Sequence, residues 1–221
     1  DGDFFLMHDE DLKRTTNILG KISNTPSNII ENAFLKNGNG ENNLITEEKI
    51  PSLIEVLDLF KGNILFDIDV KNQSDRKSLL SFIHDNNFYD YVDVKKPLET
   101  IFEAEKYIKE EHESKIINMI VLNLTNQTLD EIYQIINLTK PEIVEINFDD
   151  IDIFEKVSDF CLLKGSAIWV NTLNDVPNGG FTDKLALNSP DSCWGSLMSK
   201  GVSLIQTDYP EILRNWYKSK I

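Results

Sequence analysis

From Ile64 onward the chain alternates short runs rich in Ile, Val, Leu and Phe with longer amphipathic stretches. This alternation restricts the fold more than any other feature of the sequence. Strands are expected at 64–70, 91–94, 116–122, 143–148, 166–170 and 202–206. Helices are expected between them: at 74–86, then one that Pro97 can open at its first turn, then one behind Thr128 and Glu131, which stand at capping-box spacing. Further helices are expected at 153–163, near 194–200 behind a long Gly/Asn/Pro-containing loop, and at 210–217. Such an order implies a parallel sheet covered by helices, either doubly wound or a (β/α) barrel. Ahead of it lie a strand at 3–8 ending in the acidic turn His8-Asp9-Glu10-Asp11, and an irregular stretch at 14–49 containing Asn37-Gly38-Asn39-Gly40. A helix then starts at Ile50-Pro51, with Leu53, Ile54, Leu57 and Phe60 on one face. No composition break divides the 221 residues.

Charge and hydropathy exclude several functions. With 22 Lys and Arg against 37 Asp and Glu, a net charge of −15 opposes binding to a phosphate backbone, so nucleic acid is not an expected partner. The longest apolar stretch, 116–124, is far shorter than the roughly 20 residues of a membrane span. Periodic apolar blocks from end to end exclude a disordered chain. Two cysteines, Cys161 and Cys193, without CxxC spacing, make neither a disulfide framework nor a metal site.

Chemistry concentrates at three places. In Ile64-Leu65-Phe66-Asp67-Ile68-Asp69-Val70-Lys71, alternation puts Asp67, Asp69 and Lys71 on one face near the C-terminal end of a strand, where α/β enzymes hold their sites. Lys71 and solvent can neutralise the two carboxylates, or the segment can hold a hard metal beside a phosphate-binding lysine. His8 closes the first strand beside three acids; it is either a loop histidine held by Asp9 or a proton-transfer group tuned by a carboxylate. His84 and His112 read as surface residues. The third place combines Trp169-Val170-Asn171-Thr172 with Thr207-Asp208-Tyr209-Pro210. Asp208 and Glu211 form a helix N-terminus signature, and Trp169 is either core or the wall of a substrate cleft.

These fragments together resemble the glycerophosphodiester phosphodiesterase family. Asp1-Gly2 followed by Met7-His8-Asp9-Glu10-Asp11-Leu12-Lys13-Arg14-Thr15-Thr16 is similar to its "DG…HDxxLxRTT" signature. Ile50-Pro51-Ser52-Leu53-Ile54-Glu55-Val56-Leu57 resembles its "IPTLEEVL" helix, and Asp69-Val70-Lys71 its (E/D)-x-K strand. Trp169-Val170-Asn171-Thr172-Leu173 and the run from Gly201 to Pro210 resemble its last two strands.

The resemblance implies an α/β fold, a (β/α)8 barrel of the TIM type. It implies hydrolysis of glycerophosphodiesters to an alcohol and glycerol 3-phosphate, with a divalent cation, Ca²⁺ or Mg²⁺, and histidine acid/base catalysis. By position, His8 matches a catalytic histidine, Asp69 a metal ligand, Lys71 the lysine that faces the phosphate, and Trp169 an aromatic of the substrate cleft. Arg14 reads as structural, and Asp67 matches no ligand. The partner implied is a small-molecule glycerophosphodiester. The ending is closest to secreted bacterial members, which implies a periplasmic or extracellular location.

The family's His-Arg-Gly and Glu-x-Asp segments would precede Asp1 and are not in this sequence. The chain is therefore expected to hold about six of the eight strands of a barrel, lacking its N-terminal first strands, and to have little activity by itself. A non-catalytic, barrel-derived module that binds phosphodiester headgroups or a partner protein is the alternative. An upstream reading frame without those two segments would favour it.

Overall fold

A computed structural model describes residues 1–38, 40, 42–70, 72, 74–111 and 115–221. The chain forms two compact units, Asp1–Val92 and Asp93–Ile221.

In the first unit, α1 (Ser27–Ile30) precedes an antiparallel hairpin of β1 (Phe34–Lys36) and β2 (Ile45–Lys49). The stretch at 14–49 is thus partly regular, and its buried Ile30 and Ala33 share a core with Leu12 and Ile50. Helix α2 (Leu53–Phe60) lies within the helix expected from Ile50-Pro51; Ser52 and Glu55, a pair that this expectation does not use, form a complete capping box, and Leu53 and Leu57 are buried. Phe60, expected on the same face, is exposed. Strand β3 (Phe66–Ile68) and α3 (Arg76–Asp85) follow, each shorter than expected. The strand expected at 3–8 does not form. Only Phe5 makes a bridge, to Ser52, with flanking bonds from the Leu6 N–H to Pro51 and the Leu53 N–H to Phe4. The β-rich composition of this segment has a single pairing point, too little for a ladder.

The second unit carries β4 (Val92–Val94), which begins at the boundary, then β5 (Lys96–Pro97), α4 (Ile101–Glu111), β6 (Met119–Asn123), α5 (Leu129–Thr139), β7 (Ile143–Asn147) and α6 (Ile151–Lys164). It continues through β8 (Ala167–Asn171), α7 (Asp183–Asn188), a π-helical turn at Asp191–Gly195, α8 (Ser196–Ser199), β9 (Val202–Gln206) and α9 (Pro210–Lys218). Strands β5 to β9 form a parallel sheet in chain order. An order without reversal has no topological switch point, so this is the progression of a (β/α) barrel rather than of a doubly wound sheet. Ile120, Leu122, Val144, Ile146, Ile168 and Val170 pack on Ile132, Ile135 and Ile136 of α5 and on Phe154, Val157 and Cys161 of α6. Those strand residues share one face of the sheet by alternation.

Two helix starts differ from the sequence reading. Pro97 does not open α4 but ends the edge strand β5, where its missing N–H breaks no ladder; the next N–H, of Leu98, donates to Val121 at 3.1 Å. Helix α4 starts at a box read past: Glu103 accepts from the N–H of Thr100 at 3.0 Å and donates its own N–H to the Thr100 hydroxyl at 3.2 Å. At α9, Tyr209 and not Asp208 holds the N-cap position, and the Asp208 N–H, which Glu211 would accept in a box, goes to the buried carboxylate of Asp183 at 2.9 Å. Thr128 and Glu131 do form the expected box at α5. Both cysteines are buried free thiols that burial pushes up to about 12, so neither is a nucleophile near neutral pH.

Candidate active site

In the first unit, the turn after Met7 presents His8 with its side chain 81% exposed. Its Nδ1 lies 2.7 Å from Asp9 Oδ1. Arg14 closes on the same carboxylate, Nη2 donating to Oδ1 at 2.8 Å and Nε donating to Oδ2. The Arg14 hydrogen bond, then the His8 contact, hold the Asp9 carboxyl well below its ordinary range. An ionised carboxylate only accepts, so the shared proton is on His8 Nδ1. In the neutral ring that arrangement leaves the lone pair on Nε2. Arg14, with its side chain 33% exposed, spends Nε and Nη2 on this carboxylate.

Asp67 lies half-buried in β3, and Asp69 is exposed just past it. Lys71 lies outside the described residues, as does His112. Among the described residues, no group of three or more His, Cys, Asp or Glu is placed to hold a metal ion. Two carboxylates on one short segment do not make the six to eight oxygen ligands of Ca²⁺ or the octahedron of Mg²⁺. The described residues therefore do not build the cation site that the resemblance implies.

In the second unit, Trp169 lies in β8 on the sheet face opposite the α5 and α6 core. Register places Val121, Glu145, Trp169 and Leu204 in one row across four strands. Trp169 Nε1 donates to Asn171 Oδ1 at 2.7 Å, and Asn171 Nδ2 donates to Glu145 Oε1 at 2.8 Å. Lys95 Nζ stands 2.7 Å from Glu145 Oε2 and 4.9 Å from the centroid of the Trp169 ring system. The Lys95 and Glu145 side chains are only 12% and 6% exposed. Glu145 thus spends one oxygen on a neutral donor and the other on an ammonium, and the indole can turn only by breaking a hydrogen bond.

His8 and Asp69 thus belong to the first unit and Trp169 to the second. Sequence reasoning found Trp169 but missed Lys95, Glu145 and Asn171 as its partners. A signal was present: Glu145 interrupts Ile-Val-Glu-Ile, and Trp169 and Asn171 stand two apart on one strand.

The comparisons agree with the motifs. Residues 117–217 match the family DUF4996, a domain of unknown function. No curated protein matches the chain in sequence. In three dimensions it is similar to a glycerophosphoryl diester phosphodiesterase from Parabacteroides distasonis, with a TM-score of 0.76 and 19% identity over 98% of this chain and 71% of that one. A glycerophosphodiester phosphodiesterase from Agrobacterium tumefaciens matches with a TM-score of 0.63 and 15% identity, over 95% of this chain and 79% of that one. An Oleispira antarctica phosphodiesterase, solved with the product sn-glycerol-3-phosphate, matches with a TM-score of 0.64 and 17% identity, over 97% and 79%. The chain has the α/β barrel-type fold of the glycerophosphodiester phosphodiesterases.

Proposed function

We infer that the natural protein carrying this chain acts on glycerophosphodiesters, hydrolysing them to an alcohol and glycerol 3-phosphate. The observation that carries the reading is the His8–Asp9–Arg14 arrangement, which falls on the segment that resembles the family's signature in a chain with the family's fold.

Chemistry follows from the tautomer. Neutral His8 with a bare Nε2 starts as a base. It takes the proton of a glycerol hydroxyl of the substrate as that oxygen bonds to phosphorus. The imidazolium, stabilised by Asp9 across Nδ1–H, holds that proton, while the departing alcohol oxygen on the opposite side of phosphorus takes its proton from the second histidine that the resemblance implies. A cyclic phosphate results, and water opens it with the roles reversed: the second group takes the water proton and His8 returns its own to the ring oxygen that leaves phosphorus. By the resemblance, Lys71 is the positive group assigned to the phosphate, which matters in a chain of net charge −15. By the same resemblance, Asp69 would offer one carboxylate to a divalent cation, and Trp169 an aromatic surface to substrate.

The test is release of glycerol 3-phosphate from glycerophosphoglycerol, with His8→Ala as control. Loss of release in the variant supports the reading. Substrate binding without release by the unaltered protein would assign it to the non-catalytic alternative.

A further inference from the structure

An aromatic face beside a desolvated carboxylate is the composition of a receptor for an organic ammonium ion. Trp169 and Glu145 make such a pair, and the chain fills it with its own ammonium, Lys95, 2.7 Å from the carboxylate and 4.9 Å from the ring. Nothing in this arrangement serves the proton transfer assigned to His8. Asn171 fixes both walls at once, donating to Glu145 and accepting from Trp169. A carboxylate this deeply buried needs a cation, and the covalently attached one is always present.

We propose that Lys95 is the built-in occupant of an organic-ammonium site made by Trp169, Glu145 and Asn171 within the second unit. Choline-like or ethanolamine-like ions are refused there because their place is taken.

Tetramethylammonium is the probe, and the readout is Trp169 emission, taken as the difference between each protein and its Trp169→Phe counterpart. The unaltered protein is expected to give no saturable response. Lys95→Ala, which vacates the place of the ammonium, is expected to bind at least ~10-fold tighter, the scale of a desolvated cation–aromatic contact. A further Glu145→Gln is expected to remove the gain. Lys95→Ser, which also vacates that place, serves if Lys95→Ala does not fold. Equal affinity in the unaltered protein and either Lys95 variant overturns the proposal.

Discussion

Lys95 Nζ and Glu145 Oε2 are 2.7 Å apart on a sheet face where both side chains are nearly shut off from water. Coulomb attraction in such a place mainly offsets desolvation, so the pair is worth little compared with apolar residues but much compared with one charge alone. Glu145→Ala should therefore destabilise the protein by about 3–5 kcal/mol. Urea unfolding of Glu145→Ala, Lys95→Met and the double variant checks this. The double variant should lose clearly less than the sum of the single losses, and simple additivity would show that the two charges do not compensate each other.

Asp183 holds the loop after β8. Its Oδ1 accepts from the Thr172 and Thr207 hydroxyls at 2.5 and 2.7 Å, and its Oδ2 from the Asp208 N–H at 2.9 Å, at a position with no exposure. Asp183→Ala orphans the Thr207 hydroxyl and the Asp208 N–H, while the Thr172 hydroxyl keeps the Gln206 carbonyl as an acceptor at 3.1 Å, and should cost about 2 kcal/mol or more. Asp183→Asn keeps the acceptor for both hydroxyls and opposes an N–H to that of Asp208, so its loss should be smaller. Thermal unfolding of the two variants gives the order.

The Asp9 carboxyl titrates below its ordinary value of 3.8 because Arg14, and after it His8, bind the charged form. A depressed folded pKa adds stability that is fully present above the unfolded value and is lost as pH falls through it toward the folded one. Amide exchange across 9–14 should accordingly speed up, relative to the rest of the chain, as pH drops below 3.8. In Asp9→Asn the segment should exchange faster at neutral pH and lose this acid dependence. An acid response that survives the substitution would assign it to another carboxylate.

Local chemistry was legible in the sequence where a motif closes on itself. Thr128 with Glu131 forms its box within one turn and appears as expected; Ser52 with Glu55 makes the same kind of box, although the sequence reading rests only on the apolar face of that helix. Where a distant partner competes, the local signal misleads. Pro97 carries a helix-start signal but lies beside Val121, and Asp208 carries a cap signal but faces Asp183. Strand alternation placed Trp169 on a face without revealing which face lay away from the helices. Glu145 and Asn171 come together across 26 residues of chain, a contact that periodicity along either strand does not encode.

The central claim is that His8, fixed by Asp9, moves the proton in phosphodiester hydrolysis. The most direct measurement is glycerol 3-phosphate release from glycerophosphoglycerol by the natural protein that carries this chain, compared with its His8→Ala variant. Because the His8 side chain is 81% exposed, the variant should keep its circular dichroism and thermal midpoint. Its turnover should fall by ~100-fold or more, the scale of a lost general base. Turnover within a few-fold of the unaltered protein, in a folded variant, would contradict the account.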